Sequence, residues 1–147
     1  MVSQLLLFTT LAAFSTDSAG TASSRVDVKK AVKSSEVGDI SGYYECKGVE
    51  AGGKKYSGVA VIVKKSDIYV IQWMVGGGST FSGVAIRQGD TFAASWALPA
   101  ERGLIRGVNL YHIESGPRLV GRWASAPGPG VVQNETLTFL KKLELED

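Results

Sequence analysis

From Gly42 onward, apolar residues tend to fall at every second position. About every 10 to 14 residues, glycine-rich or charged clusters interrupt them, as in strands that bury one face and the turns that join them. Eight such segments can be read, at 42–49, 55–64, 68–75, 80–87, 91–97, 104–113, 118–125 and 131–141, and none carries a helical period. Between them lie Gly52-Gly53, Ser66-Asp67, Gly76-Gly77-Gly78, Gly89-Asp90, Ser115-Gly116 and Pro127-Gly128-Pro129-Gly130, all residues that tolerate turn dihedrals. A parallel crossover needs a dozen or more residues, so connections this short force each strand to lie antiparallel beside the last. The expected fold is therefore all-β, an antiparallel meander of about eight strands. Closing such a meander removes its two exposed edges, so a small closed or nearly closed barrel is expected, with a two-sheet sandwich as the alternative.

An internal echo accompanies the alternation. Tyr56-Ser57-Gly58-Val59-Ala60-Val61 recurs as Phe81-Ser82-Gly83-Val84-Ala85-Ile86, and three segments reach a tryptophan near their ends, at Trp73, Trp96 and Trp123. Glycine near an aromatic lets a strand coil sharply and lets a neighbouring ring lie over bare backbone, as a tightly curved barrel requires. Tyr56-Ser57-Gly58, Trp73, Gly121-Arg122-Trp123 and Glu135-Thr136-Leu137 resemble the repeated segments of a group of short secreted bacterial β-barrel proteins, over about 41–141. Most of that group is uncharacterised and some members are labelled fibronectin-binding, so the resemblance implies a fold more than a function. Similarity to the avidin and lipocalin barrels is one of architecture only.

Residues 5–14, LLLFTTLAAF, have the length of a signal-peptide core and are too short to span a bilayer. Small residues follow, and cleavage near Gly20 or Ala22 is expected. The chain then divides into a signal peptide at 1–20 (or to 22), a flexible tether at 21–39, the barrel at 40–142 and a tail at 143–147, in a secreted or periplasmic protein with no integral membrane span. The 16 Lys and Arg residues are scattered among 14 acids instead of forming one stripe, which argues against nucleic acid as a partner. Cys46, the single cysteine, shares a strand face with Tyr44 and Gly48 and is expected to be buried.

No catalytic motif is present: G-x-S-x-G, C-x-x-C, H-E-x-x-H and a phosphate loop are all missing, and the lone histidine, His112, alternates with Leu110 and Val108 away from Asn109 and Tyr111. With one histidine and one cysteine, neither a metal nor another cofactor is expected. The aromatic set offers more. Tyr69 and Trp73 share a face, as do Phe92 and Trp96, and three inward tryptophans at similar heights would either fill the core or line a small apolar pocket. Candidate ligand-binding residues are Trp73, Trp96, Trp123, Tyr69, Phe92 and Arg122. Arg122 and Glu135 lie on consecutive segments and are a candidate structural ion pair. The expected role is that of a non-enzymatic binding module for a small apolar ligand or an extracellular protein surface. The alternative is a structural or envelope-associated protein with a fully packed barrel.

Overall fold

A computed structural model describes residues 37–144. Alternation becomes burial directly: in β3 (Ile68–Val75), Tyr69, Ile71, Trp73 and Val75 are buried while Ile68 and Met74 are exposed. The other strands are β1 (Gly42–Val49), β2 (Lys55–Lys65), β4 (Ser79–Gln88), β5 (Thr91–Ala100), β6 (Gly103–Glu114), β7 (Arg118–Ala126) and β8 (Gln133–Lys141). Each pairs antiparallel with the next, and β1 pairs with β8 through Tyr44↔Phe139, Cys46↔Leu137 and Gly48↔Glu135, so the meander is a closed barrel. Closure satisfies the backbone donors and acceptors that two free edges would expose.

Two boundaries differ from the sequence reading by more than one residue. β5 runs on through Pro99 to Ala100, because its pairing with β4 stops at Gly83↔Trp96 and beyond that point one side of the strand needs no ladder donor. β8 begins at Gln133, its first partner on β7 being Trp123, which leaves Val131 and Val132 exposed in the connection.

The buried apolar side chains form one core cluster, which includes Trp73. Tyr44, Ile62, Ile71, Phe92, Leu119 and Leu137 are all under 2% exposed, and full burial of such side chains contributes about 1.5–3 kcal/mol each. Cys46 is buried among them. His112 points outward, in line with Val108 and Leu110. Outside the barrel, Val84, Ile86, Val108 and Leu110 stand exposed on β4 and β6, with the small Ala93 and Ser95 of β5 between them.

An even-stranded meander puts alternate turns at opposite ends, and here the ends differ. At the end holding the 66–67, 89–90 and 115–117 turns, the chain entering β1 crosses the opening. Arg87 donates from inside β4 to the carbonyls of Gly38, Val37 (2.7 Å) and Gly89 (2.9 Å), and the Tyr44 hydroxyl donates to the Ile40 carbonyl at 2.6 Å. Val37 and Gly38, in the stretch 21–39 read from sequence as a tether, are thus bound through their carbonyls to Arg87 of the barrel. The expected signal peptide and the rest of the tether lie outside the described residues.

Candidate functional site

The other end of the barrel opens into a half-enclosed cavity of about 620 Å³, walled by Tyr56, Trp73, Phe81, Trp96 and Trp123 with Glu135 at its inner end. Its construction follows from strand register. Glu135, on β8, is paired with Gly48 of β1 on one side and with Gly121 of β7 on the other. Neither neighbour has a side chain, and a ring lies over each. A Cβ at Gly48 would meet the Tyr56 ring at 2.2 Å, and one at Gly121 would meet the Tyr111 ring at 2.4 Å. The two glycines therefore let a phenol approach the carboxylate from each side.

Four donors converge on Glu135, which is 5% exposed. The Tyr56 hydroxyl donates to Oε2 at 2.7 Å, while Oε1 accepts from Trp73 Nε1 and Asn109 Nδ2, each at 3.2 Å, and closely from the Tyr111 hydroxyl. Asn109 Nδ2 also donates to the Tyr111 oxygen at 2.8 Å, and Asn109 Oδ1 accepts from Trp96 Nε1 at 2.9 Å. A buried carboxylate is costly unless hydrogen-bonded, and this network supplies the bonds. Among the described residues Glu135 has no ion-pair partner. Burial, and then the Glu135 charge with its hydrogen bond, push the Tyr56 and Tyr111 phenols well above their ordinary range, so both stay protonated donors at neutral pH. The same two causes, burial first, push the Cys46 thiol up.

The rings form a continuous wall. Trp96 stacks on Phe81 with centroids 5.2 Å apart, Trp73 lies 6.3 Å from Phe81, Trp123 lies 6.5 Å from Trp96, and Tyr56 lies 6.4 Å from Trp123. Trp123 Nε1 is buried without a well-aligned acceptor, although it sits close enough to the Tyr56 hydroxyl to oppose weakly the rise in that phenol's pKa. Glu50, Lys54 and Lys55 stand exposed at the mouth.

Of the residues singled out from sequence, Trp73, Trp96 and Trp123 come together around this cavity. Tyr69 and Phe92 do not. They pack edge to face, 5.5 Å apart, in the core toward the opposite end, because each lies four residues before its tryptophan and so about 13 Å back along its strand. Arg122 is on the outer wall, opposite Asn134, and makes no ion pair with Glu135. Alternation excludes that pair: Gly121 and Trp123 face inward, so Arg122 between them faces out, whereas Glu135 faces in. Tyr56, Phe81, Asn109 and Tyr111 were not among the sequence candidates. The aromatic-Ser-Gly echo and the position of Asn109 and Tyr111 opposite His112 were the traces that pointed to them.

No family model matches the chain, and no curated protein matches it. Among solved structures, the fold is similar to that of a redesigned beta barrel, at 14% identity and a TM-score of 0.56, over 69% of this chain and 92% of that one. A second similar structure, the redesigned beta barrel mFAP1 bound to DFHBI, has 14% identity and a TM-score of 0.49, over 67% of this chain and 91% of that one. The fold class is thus that of a small closed antiparallel barrel.

Proposed function

We propose that this chain is an exported, non-enzymatic binding barrel that takes a small, largely apolar molecule into its tryptophan-walled end. The observation that carries this reading is the cavity: about 620 Å³, with five aromatic side chains on its walls and Glu135 at its inner end, within the range of about 300–1,000 Å³ usual for ligand sites. A barrel serving only as a packed structural body would have this volume filled with side chains. Between the two kinds of partner expected from sequence, the cavity favours the small molecule over a protein surface. The apolar run at 5–14 supports export, and with it a secreted or periplasmic setting.

The test is a titration of the purified protein with small aromatic probes, followed by tryptophan emission, since three indoles wall the site. A saturable change that weakens at least about tenfold in Trp96→Leu and Trp123→Leu is the expected outcome, in keeping with the energy carried by buried aromatic anchors. If no probe gives a saturable change, or binding is indifferent to both substitutions, the reading fails.

A further inference from the structure

We propose that the cavity selects a ligand bearing a cationic nitrogen on a compact apolar body, with an N–H of that ammonium directed at Glu135 Oε2. This rests on the ligand-binding reading above and adds to it the charge of the ligand.

Three observations converge. First, the donors on Glu135 are unevenly divided. Oε1 accepts from Trp73, Asn109 and Tyr111, while Oε2 accepts from the Tyr56 hydroxyl. A carboxylate oxygen offers about two lone-pair sites, so the spare acceptor capacity lies on Oε2, beside Tyr56, which itself lines the cavity. The other polar neighbour of the carboxylate is the Cys46 thiol, a weak donor.

Second, the charge of Glu135 has no counter-ion among the described residues. Arg87 is committed to carbonyls at the far end, and Lys54 and Lys55 stand at the solvent-exposed mouth, where water and salt screen them. Four neutral donors stabilise the carboxylate but leave the inner end of the cavity with a net negative charge. A cation entering there gains a partner inside a partly desolvated site, whereas an anion meets a like charge.

Third, the walls between mouth and carboxylate are π-systems. Ring faces attract cations, tryptophan most strongly, within about 6 Å of the centroid. Trp73, Trp96, Trp123, Phe81 and Tyr56 form a chain of neighbours with centroids 5.2–6.5 Å apart, so an ammonium moving inward stays beside aromatic rings until it reaches Oε2. Aromatic walls alone would suit any apolar molecule. Combined with an unneutralised carboxylate at the inner end, they discriminate by charge.

The experiment compares three probes on one naphthalene body by calorimetric titration of the intact protein: 1-naphthylmethylammonium, 1-naphthylmethanol and 1-naphthoate. Wild type is expected to bind the ammonium at least tenfold more tightly than the alcohol, and the carboxylate most weakly. Glu135→Gln is expected to reduce the ammonium's advantage over the alcohol to threefold or less. Tyr56→Phe, which keeps the charge and frees Oε2, is expected to preserve or strengthen ammonium binding. Equal affinity for ammonium and alcohol in wild type overturns the cation preference but leaves the binding barrel standing, and needs no variant to fold. Failure of all three probes overturns both readings. A folded Glu135→Gln that keeps the full preference shows that the preference has another source and refutes the assignment to Glu135.

Discussion

Substituting Gly107 by alanine should disable the cavity wall from a position that never touches the cavity. An ideal Cβ at Gly107 would lie 2.0 Å from Trp96 Cε2 and 2.1 Å from Cζ2, whereas non-bonded carbons rest at about 3.5–4.0 Å. These are atoms of a rigid bicycle, so the whole indole must retreat by about 1.5 Å or more. That displacement breaks the 2.9 Å bond from Trp96 Nε1 to Asn109 Oδ1 and disturbs the stack on Phe81. Overpacking costs about 1–3 kcal/mol, the lost hydrogen bond about 0.5–1.5 kcal/mol, and the lower strand entropy cost of alanine returns about 0.5–1 kcal/mol. At the midpoints of these ranges the net is a loss of about 2 kcal/mol, which lowers the melting temperature of a domain this size by roughly 8–16 °C. Thermal unfolding followed by circular dichroism reads this directly, with Gly52→Ala as control, since nothing lies within 4 Å of a Cβ there. The control should stay within about 0.5 kcal/mol of wild type. If Gly107→Ala melts alongside Gly52→Ala, the account of Trp96 seated on bare backbone is wrong.

Two further outcomes follow from the buried titratable groups. Tyr111 is held protonated in the native state by burial and by the Glu135 charge, while the unfolded chain releases that proton near pH 10. Above about pH 10 the native state therefore binds more protons than the unfolded one, and stability falls by about 1.4 kcal/mol per pH unit for this phenol. Urea midpoints between pH 8 and 11 should show the fall, with a shallower slope in Tyr111→Phe; equal slopes in the two proteins would contradict the linkage. The Cys46 thiol, fully buried and pushed up by that burial and by Glu135, should react with a disulfide reagent at least about a thousandfold more slowly in native than in denatured protein. A native rate within tenfold of the denatured one would place the thiol at the surface.

Much of the barrel was legible because period-two patterning and short turns leave few alternatives. Strands such as β3 and β6 read correctly down to the faces of Trp73 and His112, since alternation is a local property of the chain. The height of a side chain above the barrel floor was less legible. Tyr69 and Trp73 share a face, and only the assignment of β3 to one end or the other separates the packed core from the cavity. The Arg122–Glu135 pairing failed for a related reason: adjacency of strands was weighed without carrying the alternation across both of them. Glu135 itself was visible only as a charge in a strand. Its surroundings come from β1, β2, β3 and β6, and from Gly48 and Gly121, whose role is to have no side chain. Nothing within eight residues of Glu135 announces Tyr56 or Tyr111, so the constellation emerges only once the register is known.

The division of turns between the two rims separates what strand register fixes from what it leaves open. The groups that hold Glu135 sit on strands, where a one-residue shift would turn each of them inside out, so that part of the molecule can change only by point replacement. The cavity rim is made instead by the connections around 50–54, 76–78, 101–102 and 127–132, which can lengthen, shorten or change sequence without disturbing a single ladder. The rim can therefore be edited at its hairpin tips while Glu135 and the staves that hold it stay fixed.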